Sequence, residues 1–172
     1  MEIASASPED CRSVAELHVA SWRAAYAGIL SDEYLAGLSV EGRERSWLQV
    51  LAEAQSELLV GRVGASLVGF ASLGKSRDSG APPNRGELWA LYVHPHAWST
   101  GAGQNLWRAA HDRLTAQGLS SVSLWVLERN TRAIRFYTAA GFAIEAGSEK
   151  EFELGGLLVR EVRMIHPGQN AS

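Results

Sequence analysis

Apolar positions recur first at the helical period and later at the strand period. Val14, Leu17, His18, Ser21, Trp22 and Tyr26 fall on one helical face behind Ser7-Pro8-Glu9-Asp10, which offers a cap, a first-turn proline and acidic residues for the positive dipole end. A helix should therefore run to about Ala27, where Gly28 stops it. A second helical stretch is expected from about Asp32 to Ala54, broken near Gly37 to Ser39. The period then changes to two. Glu57–Val63 and Leu67–Leu73 read as a hairpin turning at Gly64-Ala65-Ser66. Lys75 to Gly86, rich in Pro, Gly, Asn and Ser, cannot sustain a strand and is expected to be a flexible connection or a substrate-side lid.

From Glu87 strands and helices alternate. A strand opens there, a helix covers about Gly101 to Gln117, a strand Val122 to Leu127 and a helix Thr131 to Ala140. Two strands follow near Phe142 to Glu145 and Leu157 to Met164. Parallel neighbours in a sheet require a helical crossover, so the order predicts an α/β (α+β mixed) fold with a mixed sheet flanked by helices. Residues 1–166 are expected to form a single domain, and His166 to Ser172 a disordered tail.

Composition narrows the field of functions. The 172 residues are 46% hydrophobic and 20% charged, enough for one substantial core. A net charge of −3 without a basic run gives no footprint for nucleic acid. No apolar run approaches membrane-spanning length and the start lacks a signal-peptide pattern, so no membrane partner and a cytoplasmic location are expected. The single cysteine, Cys11, excludes an internal disulfide and reads as a buried helix residue. His94-Pro-His96 lacks further ligands nearby, so no metal is expected.

The chemistry-bearing segment is Glu87-Leu-Trp-Ala-Leu-Tyr-Val-His-Pro-His-Ala-Trp-Ser-Thr-Gly-Ala-Gly-Gln104: an apolar strand, a loop, and glycines opening a helix. Gly101 and Gly103 let an anion approach the main chain where unpaired N–H groups and the helix dipole point at it. A dinucleotide fingerprint would need a third glycine where Leu106 stands, and no Gly-Lys-Ser/Thr occurs, so a diphosphate of another kind is implied. A second motif follows the next strand: Asn130-Thr-Arg-Ala-Ile-Arg-Phe-Tyr-Thr-Ala-Ala-Gly-Phe142.

Together the two segments resemble the GNAT superfamily of acetyl-CoA-dependent N-acyltransferases. Its diphosphate loop reads Gln/Arg-x-x-Gly-x-Gly/Ala and its later motif Asn-x-x-Ala-x-x-Phe-Tyr-x-x-x-Gly-Phe. The resemblance implies a largely antiparallel sheet with a parallel central strand pair. It further implies transfer of acetyl from acetyl-CoA to a primary amine of a small molecule or peptide, by a monomer or homodimer. Trp98, Ser99, Thr100, Gly101, Ala102, Gly103 and Gln104 would hold the cofactor's diphosphate. Trp98 departs from the family's Gln or Arg, yet the loop's main binding groups are backbone amides. Leu91, Tyr92 and Val93 would supply backbone donors beside the thioester carbonyl. Asn130 would contact the pantetheine or diphosphate region of the cofactor, a role that need not conflict with capping the next helix, and Ala133 would bind the cofactor as well.

Within the same resemblance Tyr137 is the candidate acid for the leaving thiolate. A phenol stays protonated at neutral pH, and the alternative is a core tyrosine on the apolar stripe of Ala133, Phe136 and Ala140. Glu87, which opens the strand eleven residues before Trp98, resembles the strand glutamate that acts as base in some histone-acetylating members. Its alternative is a solvated strand-end carboxylate, and Glu33, Glu128 and Glu161 are further carboxylates. Trp22 and Tyr26 are candidates for the acceptor wall, or else core aromatics. A noncatalytic acyl-CoA-binding domain of the same fold is the competing reading.

Overall fold

Three helices begin where a side chain accepts a hydrogen bond from the first turn. Ser31 caps α2 (Asp32–Ala36) through Tyr34 N–H, Ser39 caps α3 (Val40–Glu53) through Gly42 N–H, and Asn130 caps α5 (Thr131–Ala139) through Ala133 N–H. A computed structural model describes residues 1–168. Its other helices are α1 (Cys11–Ala25) and α4 (Ala102–Ala116). Its strands are β1 (Glu2–Ser5), β2 (Glu57–Val63), β3 (Ser66–Lys75), β4 (Arg85–Val93), β5 (Ser121–Leu127), β6 (Ala143–Ile144), β7 (Lys150–Leu154) and β8 (Leu157–His166).

The strands form one sheet in the order β1-β2-β3-β4-β5-β8-β6, with β7 also paired to β8. Only β4 and β5 run parallel. This is the mixed, largely antiparallel sheet with a parallel central pair. Period-two alternation sends Leu58, Val60 and Phe70 to one face, where Cys11, Val14 and Trp47 of α1 and α3 cover them. Leu59, Ala71 and Leu73 go to the other face under Leu106, Ala110 and Leu114 of α4. Gly69 lets α4 come close: a Cβ there would lie 2.7 Å from Leu106 Cδ1 and 2.9 Å from the Tyr92 carbonyl.

The structure corrects the sequence reading in several places. β1 was not expected, since Glu2-Ile-Ala-Ser carries little apolar pattern; it exists because β2 supplies its hydrogen bonds. β7 was also missed, and it hairpins into β8 through Gly155 and Gly156, both at positive φ. His166 belongs to β8 instead of the tail, with its ring against Trp107, His111 and Phe142. The rest of the expected tail from 169 onward lies outside the described residues. The first helix ends at Ala25, with Tyr26 as its cap. Lys75 and Arg85-Gly86, expected in the connection, instead end β3 and open β4, where Lys75 pairs with Gly86; the shorter loop between them is tied at its start, where Asp78 pairs with Arg163 at 3.0 Å and accepts from Trp125 Nε1 at 3.1 Å. Among the described residues no helix is long and apolar enough to cross a membrane.

β4 and β5 pair only through Arg85↔Ser121, Gly86↔Val122 and Glu87↔Ser123. Past Glu87 they part, while β4 stays bonded to β3 and β5 to β8. The sheet is thus open at its centre.

Candidate active site

A cavity of about 730 Å³ fills the opening between the parted strands. β4 contributes Leu91, Tyr92 and Val93, and β5 contributes residues from Leu124 to Leu127. The backbone direction along β4 can be read from its neighbours. His94 N–H donates to Val68 O of β3 at 2.9 Å, so by alternation Tyr92 also turns its peptide groups to β3, while Leu91 and Val93 turn theirs to the open side. Val93 O confirms the parity: it accepts from Ser21 Oγ at 3.0 Å and Trp98 Nε1 at 2.8 Å, neither of them in the sheet. Leu91 and Val93 are therefore the residues whose N–H groups face the cavity, and Tyr92 contributes its side chain.

At one end of the opening stands the start of α4. Gly101 occupies its N-cap at φ 88° and no side chain caps it, unlike α2, α3 and α5. Ser99 is also left-handed, at φ 63°. Such a bend in a non-glycine residue is strained, and left-handed residues in a loop before a helix are the kind of backbone from which anion-binding concavities are built. Trp98, Ser99, Gly101, Gly103 and Gln104 line the cavity. Thr100 and Ala102 do not. The Thr100 hydroxyl donates to Ala97 O at 2.7 Å, and the Ala102 methyl is buried in the core. Only the backbone of these two is left for a ligand.

The first turn of α5 forms the facing wall. Asn130 is buried and lines the cavity, and its side-chain oxygen accepts from Ala133 N–H at 3.1 Å, so the capping role is filled, with the Tyr26 phenol beside the same amide. Ala133 and Tyr137 line the same wall. Tyr137 is 9% exposed; burial, reinforced by the nearby Tyr92 phenol, raises its pKa above the ordinary phenol value, so it is neutral at physiological pH. Tyr26 and Tyr92 are pushed up in the same way, burial leading in each. Phenols from α5, β4 and the end of α1 thus meet in one cavity, a convergence sequence spacing could not reveal. Trp22 and Tyr26 also line it, packed edge to face at 4.9 Å.

The two leading carboxylates fall in different places. Glu87 is only 1% exposed and does not line the cavity, so it is not a solvated strand-end group. Its carboxylate is committed to Arg77, whose backbone N–H donates to Oε2 at 2.8 Å and whose Nε donates to Oε1 at 3.0 Å. Glu161 on β8 does line the cavity, beside Trp125, Phe152 and Leu154. Burial raises the Glu161 carboxyl above the ordinary carboxylate range. Asp78 and Glu87 push the same way, and Lys150 and Arg77 oppose. Glu33 and Glu128 are exposed, and neither lines the cavity. Cys11 is a buried helix residue with its thiol pKa raised by burial first. His94 and His96 pack against each other, and no group of three or more ligating side chains poised for a metal occurs among the described residues.

Comparison with known proteins matches residues 11–142 to the family model for the acetyltransferase (GNAT) family. An uncharacterised N-acetyltransferase, YuaI of Bacillus subtilis (strain 168), is 34% identical over 98% of this chain and 94% of its own. A spermidine N(1)-acetyltransferase of Thermoplasma acidophilum is 28% identical over 88% of this chain and 94% of its own. A crystal structure of the PaiA N-acetyltransferase of Thermoplasma acidophilum in complex with coenzyme A aligns with a TM-score of 0.75 at 24% identity, covering 96% of this chain and 98% of that one.

Proposed function

The chain belongs to the GNAT family of acetyltransferases, and from that membership we propose that it moves acetyl from acetyl-CoA to a primary aliphatic amine by direct attack of the amine on the thioester. The observation that carries this reading is the opening past Glu87↔Ser123, a cavity with backbone donors along one wall and an uncapped helix start at its end. A long, narrow ligand with an anionic diphosphate and an amide-bearing arm fits that combination. Acetyl-CoA supplies the activated thioester when bound.

The chain's own groups divide the work. The N–H groups of Gly101 to Gln104 hold the diphosphate at the positive end of α4. Asn130 and Ala133 flank the arm that reaches inward. The N–H groups of Leu91 and Val93 face the carbonyl oxygen, where charge builds as the amine attacks, and fixed donors at such a point reduce the barrier. Tyr137, neutral and buried, passes a proton to the departing sulfur as the C–S bond breaks, and its phenol regains one from the attacking nitrogen as that becomes the amide, so no phenolate is left behind.

An alkylammonium with a pKa near 10.4 must lose a proton first, at a cost of about 4 to 5 kcal/mol at pH 7. Glu161 takes that proton. Its raised pKa makes it a better base than an exposed carboxylate, and it lines the same cavity as Trp22, Tyr26, Trp125 and Phe152. A carboxylate lining this cavity attracts an alkylammonium cation by charge, and Tyr26 and Phe152 line the same cavity beside Trp22 and Trp125, whose rings already carry Arg43 and Lys150. The name of the spermidine-acetylating relative agrees with this choice.

Thiol release from acetyl-CoA in the presence of a panel of alkylamines, aminoglycosides and peptide N-termini tests the proposal. Acceptor-dependent release with an alkylamine is expected. Tight binding of CoA with no release for any amine would instead favour a noncatalytic acyl-CoA-binding domain.

A further inference from the structure

The loop before α4 carries Trp98, a residue without charge, at the entrance to the site proposed for the diphosphate. Its indole is fixed in two ways. Nε1–H donates to Val93 O at 2.8 Å, and the Arg132 guanidinium lies over the ring with its carbon 3.8 Å from the centroid. That distance is well inside the range of cation–π attraction. Arg132 sits in the first turn of α5, next to the cap Asn130, and lines the cavity together with Trp98, Gly101 and Gln104. Arg132 forms no ion pair with a carboxylate among the described residues, a property it shares with Arg135, so its place over the Trp98 ring is what sets it apart.

We propose that Arg132, held over the Trp98 indole, is the side chain that grips the diphosphate of the cofactor, with Trp98 as its positioning residue. The guanidinium is planar, always charged and offers a fork of donors, the geometry that diphosphate oxygens accept. Left free, a long arginine would lose side-chain entropy on gripping an anion. Stacked on a ring that is itself hydrogen-bonded to β4, it loses much less. Arg135, one turn on, lines the same cavity but has no ring beneath it among the described residues.

This inference rests on the acetyl-CoA reading, and calorimetry with CoA and 3′-dephospho-CoA separates the two. Arg132→Gln should weaken both ligands by about tenfold, equivalent to about 1.4 kcal/mol, because both retain the diphosphate. Trp98→Leu should weaken CoA several-fold in the wild-type background and leave it unchanged in an Arg132→Gln background. Trp98→Phe keeps a ring under the guanidinium and should bind CoA almost as wild type does, which guards against a misfolded leucine variant. The proposal is overturned if Arg132→Gln binds CoA within twofold of wild type, or if the loss vanishes with 3′-dephospho-CoA, which would move the contact to the 3′-phosphate. Equal losses for Trp98→Leu in both backgrounds would overturn the positioning role. Should folded wild-type protein bind no CoA at all, the acetyl-CoA reading itself falls.

Discussion

Mild acid should destabilise this fold through His18, and the size of the effect follows from its surroundings. His18 is 6% exposed, with Trp22, Trp47, Phe70 and Tyr92 around it at centroid distances of 5.6, 5.7, 5.7 and 4.9 Å. Nδ1 accepts from Trp47 Nε1 at 3.2 Å, which leaves the proton of the neutral ring on Nε2, an atom with no partner among the described residues. Burial, helped by the positive charge of Arg43, pushes the pKa down to about 3. In the unfolded chain it is about 6.5. Between those values the unfolded chain binds a proton that the folded chain refuses. Stability is therefore undiminished above about pH 6.5 and falls as the pH drops toward the folded value.

At pH 5, about 1.5 units below the unfolded pKa, the loss is about 2 kcal/mol. Urea unfolding at pH 7 and pH 5 measures it. His18→Phe leaves the Trp47 N–H unpaired and should cost about 1 to 3 kcal/mol at pH 7, yet it removes the titration. Wild type should thus lose about 2 kcal/mol more than the variant between the two pH values. Parallel losses would refute the neutral, buried imidazole.

The remaining expectations concern the site and its scaffold. Tyr137→Phe should lower kcat about a hundredfold while leaving CoA affinity nearly unchanged, read from steady-state kinetics beside calorimetry; an equal fall in affinity would make the phenol a binding group only. Glu161→Gln should give a deficit in kcat/KM that narrows as rising pH deprotonates the amine unaided, and wild-type activity should rise through a pKa above the ordinary carboxylate range. Glu87→Gln should instead lower unfolding stability, by weakening the Arg77 contacts, with a pH profile of wild-type shape. Gly69→Ala should cost about 1 to 3 kcal/mol in denaturant unfolding, since its Cβ would meet both Leu106 and the rigid Tyr92 carbonyl.

Local physics fixed most of the elements, and tertiary pairing made the rest. The helix start at Asn130 was legible because capping is a contact within a few residues, whereas the caps at Ser31 and Ser39 were not read and only the stretch from Asp32, broken near Gly37 to Ser39, placed their helices. β1 was not, because nothing within Glu2–Ser5 favours a strand; the free edge of β2 does. β7 did leave a signal: Phe152 and Leu154 alternate before Gly155-Gly156, a hairpin pattern resembling the one recognised at Gly64. Missing it had a functional consequence, since Phe152 and Leu154 stand in the cavity wall.

The same boundary between local and distant explains which site residues the sequence could place. The loop proposed to hold the diphosphate and the segment from Asn130 to Tyr137 are each one continuous stretch, and both contribute residues to the cavity lining. The carboxylate was different. Glu87 drew attention by its position along β4, yet it lies where β4 and β5 are still paired, below the point at which the sheet opens. A side chain there has no access to the gap, and a buried carboxylate without solvent needs a cation, which Arg77 provides. Glu161 lies opposite Leu127 on β8, at the end of β5 that has already left β4. Whether a carboxylate on these strands can reach an amine is thus decided by the place where the parallel pairing stops. That place is set by long-range register, which no spacing within a single segment encodes.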